Sequence, residues 1–133
     1  MTAIPVDTNI LVRLATGDSP AEHAAAVKFV EDHTILILPT MLLETEWVLR
    51  SIYGYSASQF RAFVDWLITS AKAELSEAGT VHAALRLHES GFDFSDAMHL
   101  AASHGRPLAT FDKALIRRAR QRHVAVHAVI SGK

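Results

Sequence analysis

Along this chain the spacing of apolar residues alternates between short continuous runs and a recurrence at every third and fourth position. The short β-type runs are Ala3 to Val6, Ile35 to Leu38, Ala73 to Leu75, Pro107 to Thr110 and Val124 to His127. Between them the period is helical. Ile10, Leu11 and Leu14 mark a helix after Asp7, and Ala26, Phe29, Val30 and His33 stripe a second that begins near Pro20. A third spans Met41 to Ile52, and a fourth starts after Ser58 with Phe60, Phe63, Val64 and Leu67 on one side. Helices from Ser76 to Glu89 and from Phe94 to His104 follow, then a basic one from Lys113 to Arg122. Strands that alternate with helices predict βαβ units, an α/β fold with a parallel sheet of about five strands. In open parallel sheets ligands bind beyond the carboxyl ends of the strands, so the residues after each strand are the ones to inspect.

Composition narrows the field. A length of 133 residues fits a single domain, and with 50% hydrophobic and 20% charged residues the chain can bury a core. The absence of cysteine removes disulfides, thiolate zinc sites and a Cys nucleophile, and suits a reducing cytoplasm. The start MTAIPVDTN lacks a basic segment followed by an apolar run, and the run Ile35 to Leu38 ends at Pro39. Neither a signal peptide nor a membrane span is expected. A net charge of -1 argues against coating nucleic acid by bulk charge, so any such contact must come from a local patch.

Several acids follow strands or open helices, and each has two readings. Asp7, in V-D-T-N-I, and Asp112, in A-T-F-D-K, can each cap the helix that follows or hold a ligand. Asp93 and Asp96, in F-D-F-S-D-A-M-H-L-A, divide more clearly: Asp93 suits the cap, while Asp96 has His99 and Leu100 on its face and is expected to point inward. Glu46 has Arg50 four residues on and is expected to form a solvated surface pair. Glu44 shares its face with Trp47 and Val48, so its carboxylate is expected against apolar surface and in need of a partner.

Asp7, Glu44, Asp96 and Asp112 can converge in one crevice of a doubly wound sheet. Two like charges about 4 Å apart cost about 1 kcal/mol in water and about 4 kcal/mol at an effective dielectric near 20, so four such groups together imply a cation. Oxygen donors without Cys favour Mg²⁺ or Mn²⁺, and such a site suits hydrolysis of a phosphodiester.

With V-D-T-N-I-L-V-R, L-E-T-E-W-V-L-R, D-F-S-D-A-M-H-L-A and A-T-F-D-K in this order, the chain resembles a PIN domain, and more narrowly a VapC-type toxin ribonuclease. The resemblance covers nearly the whole chain. It implies a three-layer α/β/α sandwich, an acidic Mg²⁺ or Mn²⁺ site and endonucleolytic cleavage of RNA. It implies Asp7, Glu44, Asp96 and Asp112 as the catalytic and metal-binding acids, with Asp93 accessory and Thr8, Asn9 and Thr110 orienting acids or water. It further implies a homodimer and a VapB-type antitoxin that inserts into the active-site groove.

An acidic site repels phosphates, so a positive rim is needed. Arg117, Arg118, Arg120 and Arg122 cluster after Asp112 and can be either that rim or a solvated helix face, and Arg13 and Arg50 are further candidates. Eight histidines raise a rival, a metal-independent ribonuclease with paired His as acid and base, although they form no recognised pair. A second alternative is a non-catalytic partner-binding module.

Overall fold

The computed structural model describes residues 2–132. The chain packs as two compact units, one ending at Ala78 and one beginning at Gly79.

In the first unit a three-stranded parallel sheet is ordered β1-β2-β3, from β1 (Ile4–Pro5), β2 (Ile35–Ile37) and β3 (Glu74–Leu75). Ile4 pairs with Ile35 and Leu36 with Glu74. Pro5 has no N–H to give, and it sits where that matters least, on the outer strand of this sheet. Its neighbours supply the bonds: the Ile4 N–H donates to the Thr34 carbonyl at 2.9 Å and the Val6 N–H to that of Leu36 at 3.3 Å.

Four helices accompany these strands: α1 (Thr8–Ala15), α2 (Pro20–Asp32), α3 (Pro39–Tyr53) and α4 (Ala57–Thr69). Two open with proline, whose fixed φ suits the first helical turn. The α4 start carries a capping box, with Ser56 accepting the Gln59 N–H and Gln59 accepting that of Ser56. Gly54 closes α3 in the left-handed conformation, at φ 70°. Leu11, Ile35, Ile37, Leu42, Leu49, Phe60, Val64 and Leu67 form the buried core of this unit.

The second unit holds all but the first residue of α5 (Ala78–Glu89), then α6 (Phe94–Ala102), β4 (Leu108–Thr110), α7 (Lys113–Gln121) and β5 (Val126–Ala128). The β4 and β5 strands pair in parallel, Leu108 opposite Val126, and α7 packs on β5. Val81, Ala84, Leu85, Phe94 and Ala97 are fully buried, and the Phe94 and His88 rings meet in a T-shaped contact at a centroid distance of 5.2 Å.

The fold is α/β, with seven helices and five strands among the described residues. The sequence expectation was one sheet of about five strands. Five strands are present and every pairing is parallel, as expected, with the pairings grouped as a sheet of three and a sheet of two. Strands of two or three residues offer few backbone groups for further pairing. Among the described residues no helix is long and apolar enough to cross a membrane.

Candidate active site

Strand-to-helix turns place the acids. Asp7 leaves the β1 strand as the N-cap of α1, accepting the Asn9 N–H at 2.9 Å. Asp93 caps α6, taking the Ser95 N–H at 3.1 Å and the Asp96 N–H at 3.4 Å on Oδ2. Asp112 caps α7, with Oδ1 accepting the N–H groups of Ala114 and Leu115 at 3.0 and 3.1 Å. The cap reading and the ligand reading are not exclusive here. In Asp112 one oxygen binds the helix N–H groups, and the carboxylate keeps a second oxygen with lone pairs that can meet a cation.

Asp96 differs from these three because it lies one turn inside α6 and caps nothing. It is half-buried, and its carboxyl is held above the ordinary aspartate value of 3.8, first by burial and then by the charges of Asp93 and Asp112, with His99 pulling the other way. The three carboxylates therefore feel one another. They line a cleft of about 340 Å³ with Gly91, Phe92, Ala114, Leu115, Arg117, Arg118 and Gln121. Thr110 stiffens the turn into α7, its Oγ1 accepting the Asp112 N–H at 3.0 Å.

In the first unit, Thr8 Oγ1 donates to Glu44 Oε2 at 2.9 Å, a bond across 36 residues that joins the start of α1 to α3. Thr8 and Glu44 are thus brought together, with Asp7 next to Thr8 in the chain. Asn9 lines a separate hollow between α1 and α2 with Ile10, Arg13, Glu22 and Phe29.

Both glutamates differ from expectation in exposure, while the partner expected for Glu44 is present in Thr8 and its apolar neighbours in Trp47 and Val48. Glu46, expected in solvent, is 4% exposed and lies on the buried row of α3 with Leu42 and Leu49. Arg50 does pair with it, Nε to Oε2 at 2.9 Å, reaching in from a half-exposed position. Glu44, expected against apolar surface, is exposed beside Trp47, which is 57% exposed. The helical wheel held the signal: Glu46 lies four residues after Leu42 and three before Leu49, a stronger cue than one favourable i,i+4 pair.

The basic residues also separate. Arg117 and Arg118 line the acidic cleft. Gly91, at φ 115°, leaves the space that Arg118 occupies, since a Cβ there would come within 3.3 Å of the guanidinium carbon. Arg122 donates from Nε to the Ser90 carbonyl at 2.8 Å. Arg120 lines a neighbouring depression with Lys113, Ile116 and Ile130. Arg13 is engaged by Asp18 at 3.3 Å and Glu22 at 3.2 Å, which removes much of its attraction for phosphate.

Gly91 and Gln121 are cleft residues that the sequence reading passed over. For Gln121 the cue is spacing, since it falls four and three residues after Arg117 and Arg118. For Gly91 it is the glycine just before F-D-F-S-D.

Among the described residues there is no group of three His, Asp or Glu side chains that could cage a metal ion. The chemistry of the donors nonetheless fits a hard divalent ion: they are carboxylates and hydroxyls, and mutual repulsion at Asp96 is relieved by positive charge.

The family model for the PIN domain matches residues 4–121. No curated protein matches the chain.

Proposed function

The chain belongs to the PIN-domain family, a nuclease-type superfamily, and on that premise we propose that it is a divalent-metal-dependent endoribonuclease, the toxin of a VapC-type toxin-antitoxin pair. The observation that carries this reading is the environment of Asp96. Its carboxyl is raised by burial and by Asp93 and Asp112, in a cleft that also holds Arg117 and Arg118. Such a cleft offers carboxylates to a cation and guanidinium groups to a phosphate.

Asp7, Glu44, Asp96 and Asp112 are the residues that would hold Mg²⁺ or Mn²⁺. When bound, the ion supplies an acidified water and positive charge for the developing charge at phosphorus. The chain's own residues prepare the rest. The Thr8 hydroxyl fixes one oxygen of Glu44, and the α7 N–H groups fix one oxygen of Asp112. Thr110 holds the turn before α7, and the Asn9 N–H fixes one oxygen of Asp7. By capping α6, Asp93 sets the direction of Asp96. Arg117 and Arg118 draw the RNA phosphates, with Arg120 and Arg122 extending the positive rim along α7.

Because water rather than the 2′-hydroxyl attacks, the products carry a 5′-phosphate and a 3′-hydroxyl. A VapB-type antitoxin, a homodimer and a cytoplasmic location belong to the same reading, supported by the sequence resemblance and the cysteine-free composition.

Incubation of the purified protein with total cellular RNA in Mg²⁺, Mn²⁺ or EDTA, with sequencing of the cut ends, tests this function. Cleavage is expected with either ion and is abolished by EDTA. Activity that survives EDTA, or ends that carry a 2′,3′-cyclic phosphate, would overturn it.

A further inference from the structure

The exposed row of α3 runs Thr40, Glu44, Trp47, Ser51. Three of the four are polar or charged and the fourth is an indole 57% exposed to solvent. Half-buried Leu43 and Val48 flank it, and with Glu44 and Trp47 they line a shallow depression of about 400 Å³. An exposed indole offers a large, rigid, flat face on which another planar group can stack. Here it stands one helical turn from Glu44, whose carboxylate is fixed by Thr8 at 2.9 Å.

We propose that Trp47 is a stacking platform for a nucleobase of the RNA substrate, positioning the strand beside Glu44. This rests on the nuclease reading and adds a substrate-positioning residue to it. The surroundings of the indole choose the occupant. Cores of protein interfaces are depleted of charge, whereas Trp47 shares its row with Glu44, Thr40 and Ser51. The other strongly exposed hydrophobic residue of this helix, Ile52, projects about 140° round the helix from Trp47, so the two form no continuous dry patch. A single aromatic plane set among polar groups is the arrangement that single-stranded nucleic acid uses, because every base offers a π-face while its sugar and phosphate stay wet. Stacking of this kind is tolerant of sequence, so Trp47 sets where the strand lies more than which base is read.

The test uses two readouts. In an Asp96→Asn, Trp66→Phe background, which leaves Trp47 as the one indole, addition of a mixed-sequence single-stranded RNA oligonucleotide is expected to quench the fluorescence. In the otherwise wild-type chain, Trp47→Leu should raise KM for RNA about tenfold, the size of one lost base stack, while Trp47→Phe keeps most of the affinity. Circular dichroism melting of each variant verifies folding.

Unquenched fluorescence with saturating RNA, or an unchanged KM in Trp47→Leu, overturns the proposal. So does a Trp47→Leu chain that cleaves normally but changes from dimer to monomer in sedimentation velocity, which would make the row a contact between copies. Failure of the nuclease reading is separable: a wild-type protein that does not cut RNA with Mg²⁺ fails there, whereas the quenching titration still reports whether Trp47 meets a base.

Discussion

Asp93 accepts the backbone N–H of Asp96 at 3.4 Å, and its charge opposes ionisation of that same residue. The group that starts the helix therefore also loads the acid one turn in.

Substitutions at Asp93 should separate those two effects. Asp93→Ser keeps an oxygen to accept the helix N–H groups and drops the charge, so it should retain stability within a few tenths of a kcal/mol while the Asp96 carboxyl moves down toward its ordinary value. Asp93→Ala loses the cap as well and should cost about 1 kcal/mol in urea unfolding. An NMR titration of Asp96 reads the charge effect. Equal destabilisation of the two variants would show that the carboxylate does something other than cap.

The raised carboxyl of Asp96 gives a pH prediction with a definite sign. The folded chain holds this proton more tightly than the unfolded one, so the contribution to stability is complete below 3.8 and is lost as pH rises through the folded value. At pH 7 without metal, ionised Asp96 works against folding. Asp96→Asn should therefore melt above the wild type at pH 7 in EDTA, and the gap should close in acid. Mg²⁺ should raise the melting temperature of the wild type and leave Asp96→Asn nearly unmoved. A lower melting temperature for Asp96→Asn at pH 7 would show that the repulsion is already relieved within the chain.

Much of this arrangement was legible in the sequence because its cues are local. Each helix was found within a few residues of its bounds, since Asp7, Asp93 and Asp112 cap at the turns and Gly54 stops α3 where its pattern ends. Strand grouping was not legible, because a run such as Val126 to Ala128 states no partner, and here it pairs with Leu108 to Thr110 alone in a two-stranded sheet. The burial of Glu46 follows from its whole helical row, with Leu42 and Leu49, and not from the single favourable neighbour Arg50. Thr8 and Glu44 meet across 36 residues, a distance over which spacing carries no information.

Arg118 on α7 and Arg122 at its C-cap, four residues apart, should behave differently. Arg118 lies over Gly91 and lines the cleft, while Arg122 gives its Nε to the Ser90 carbonyl. Arg118→Ala should weaken RNA binding and reduce the dependence of log K on log salt by about one unit, with little change in melting. Arg122→Ala should show the reverse balance, a stability loss of about 1 kcal/mol from the missing hydrogen bond and a smaller change in binding. Filter binding at several salt concentrations, together with urea unfolding, checks both. Identical salt slopes for the two variants would mean that the cleft does not select between them.

The Glu46–Arg50 pair is asymmetric, and the asymmetry decides which partner matters more for stability. Glu46 has 5% of its side chain exposed and Arg50 46%, so one end of the bond lies in the core and the other reaches water. Glu46→Gln keeps the volume and an acceptor for the guanidinium, which can otherwise turn outward to solvent, so the cost should be near 1 kcal/mol. Arg50→Ala instead leaves the buried carboxylate without that cation and strips a charged hydrogen bond, and should cost about 2 kcal/mol. Because Arg50 is committed to this pair, RNA affinity should hold in both variants under conditions where they remain folded. Urea unfolding ranks the two costs, and a larger loss for Glu46→Gln than for Arg50→Ala would show that the core depends on the glutamate's charge through contacts other than Arg50.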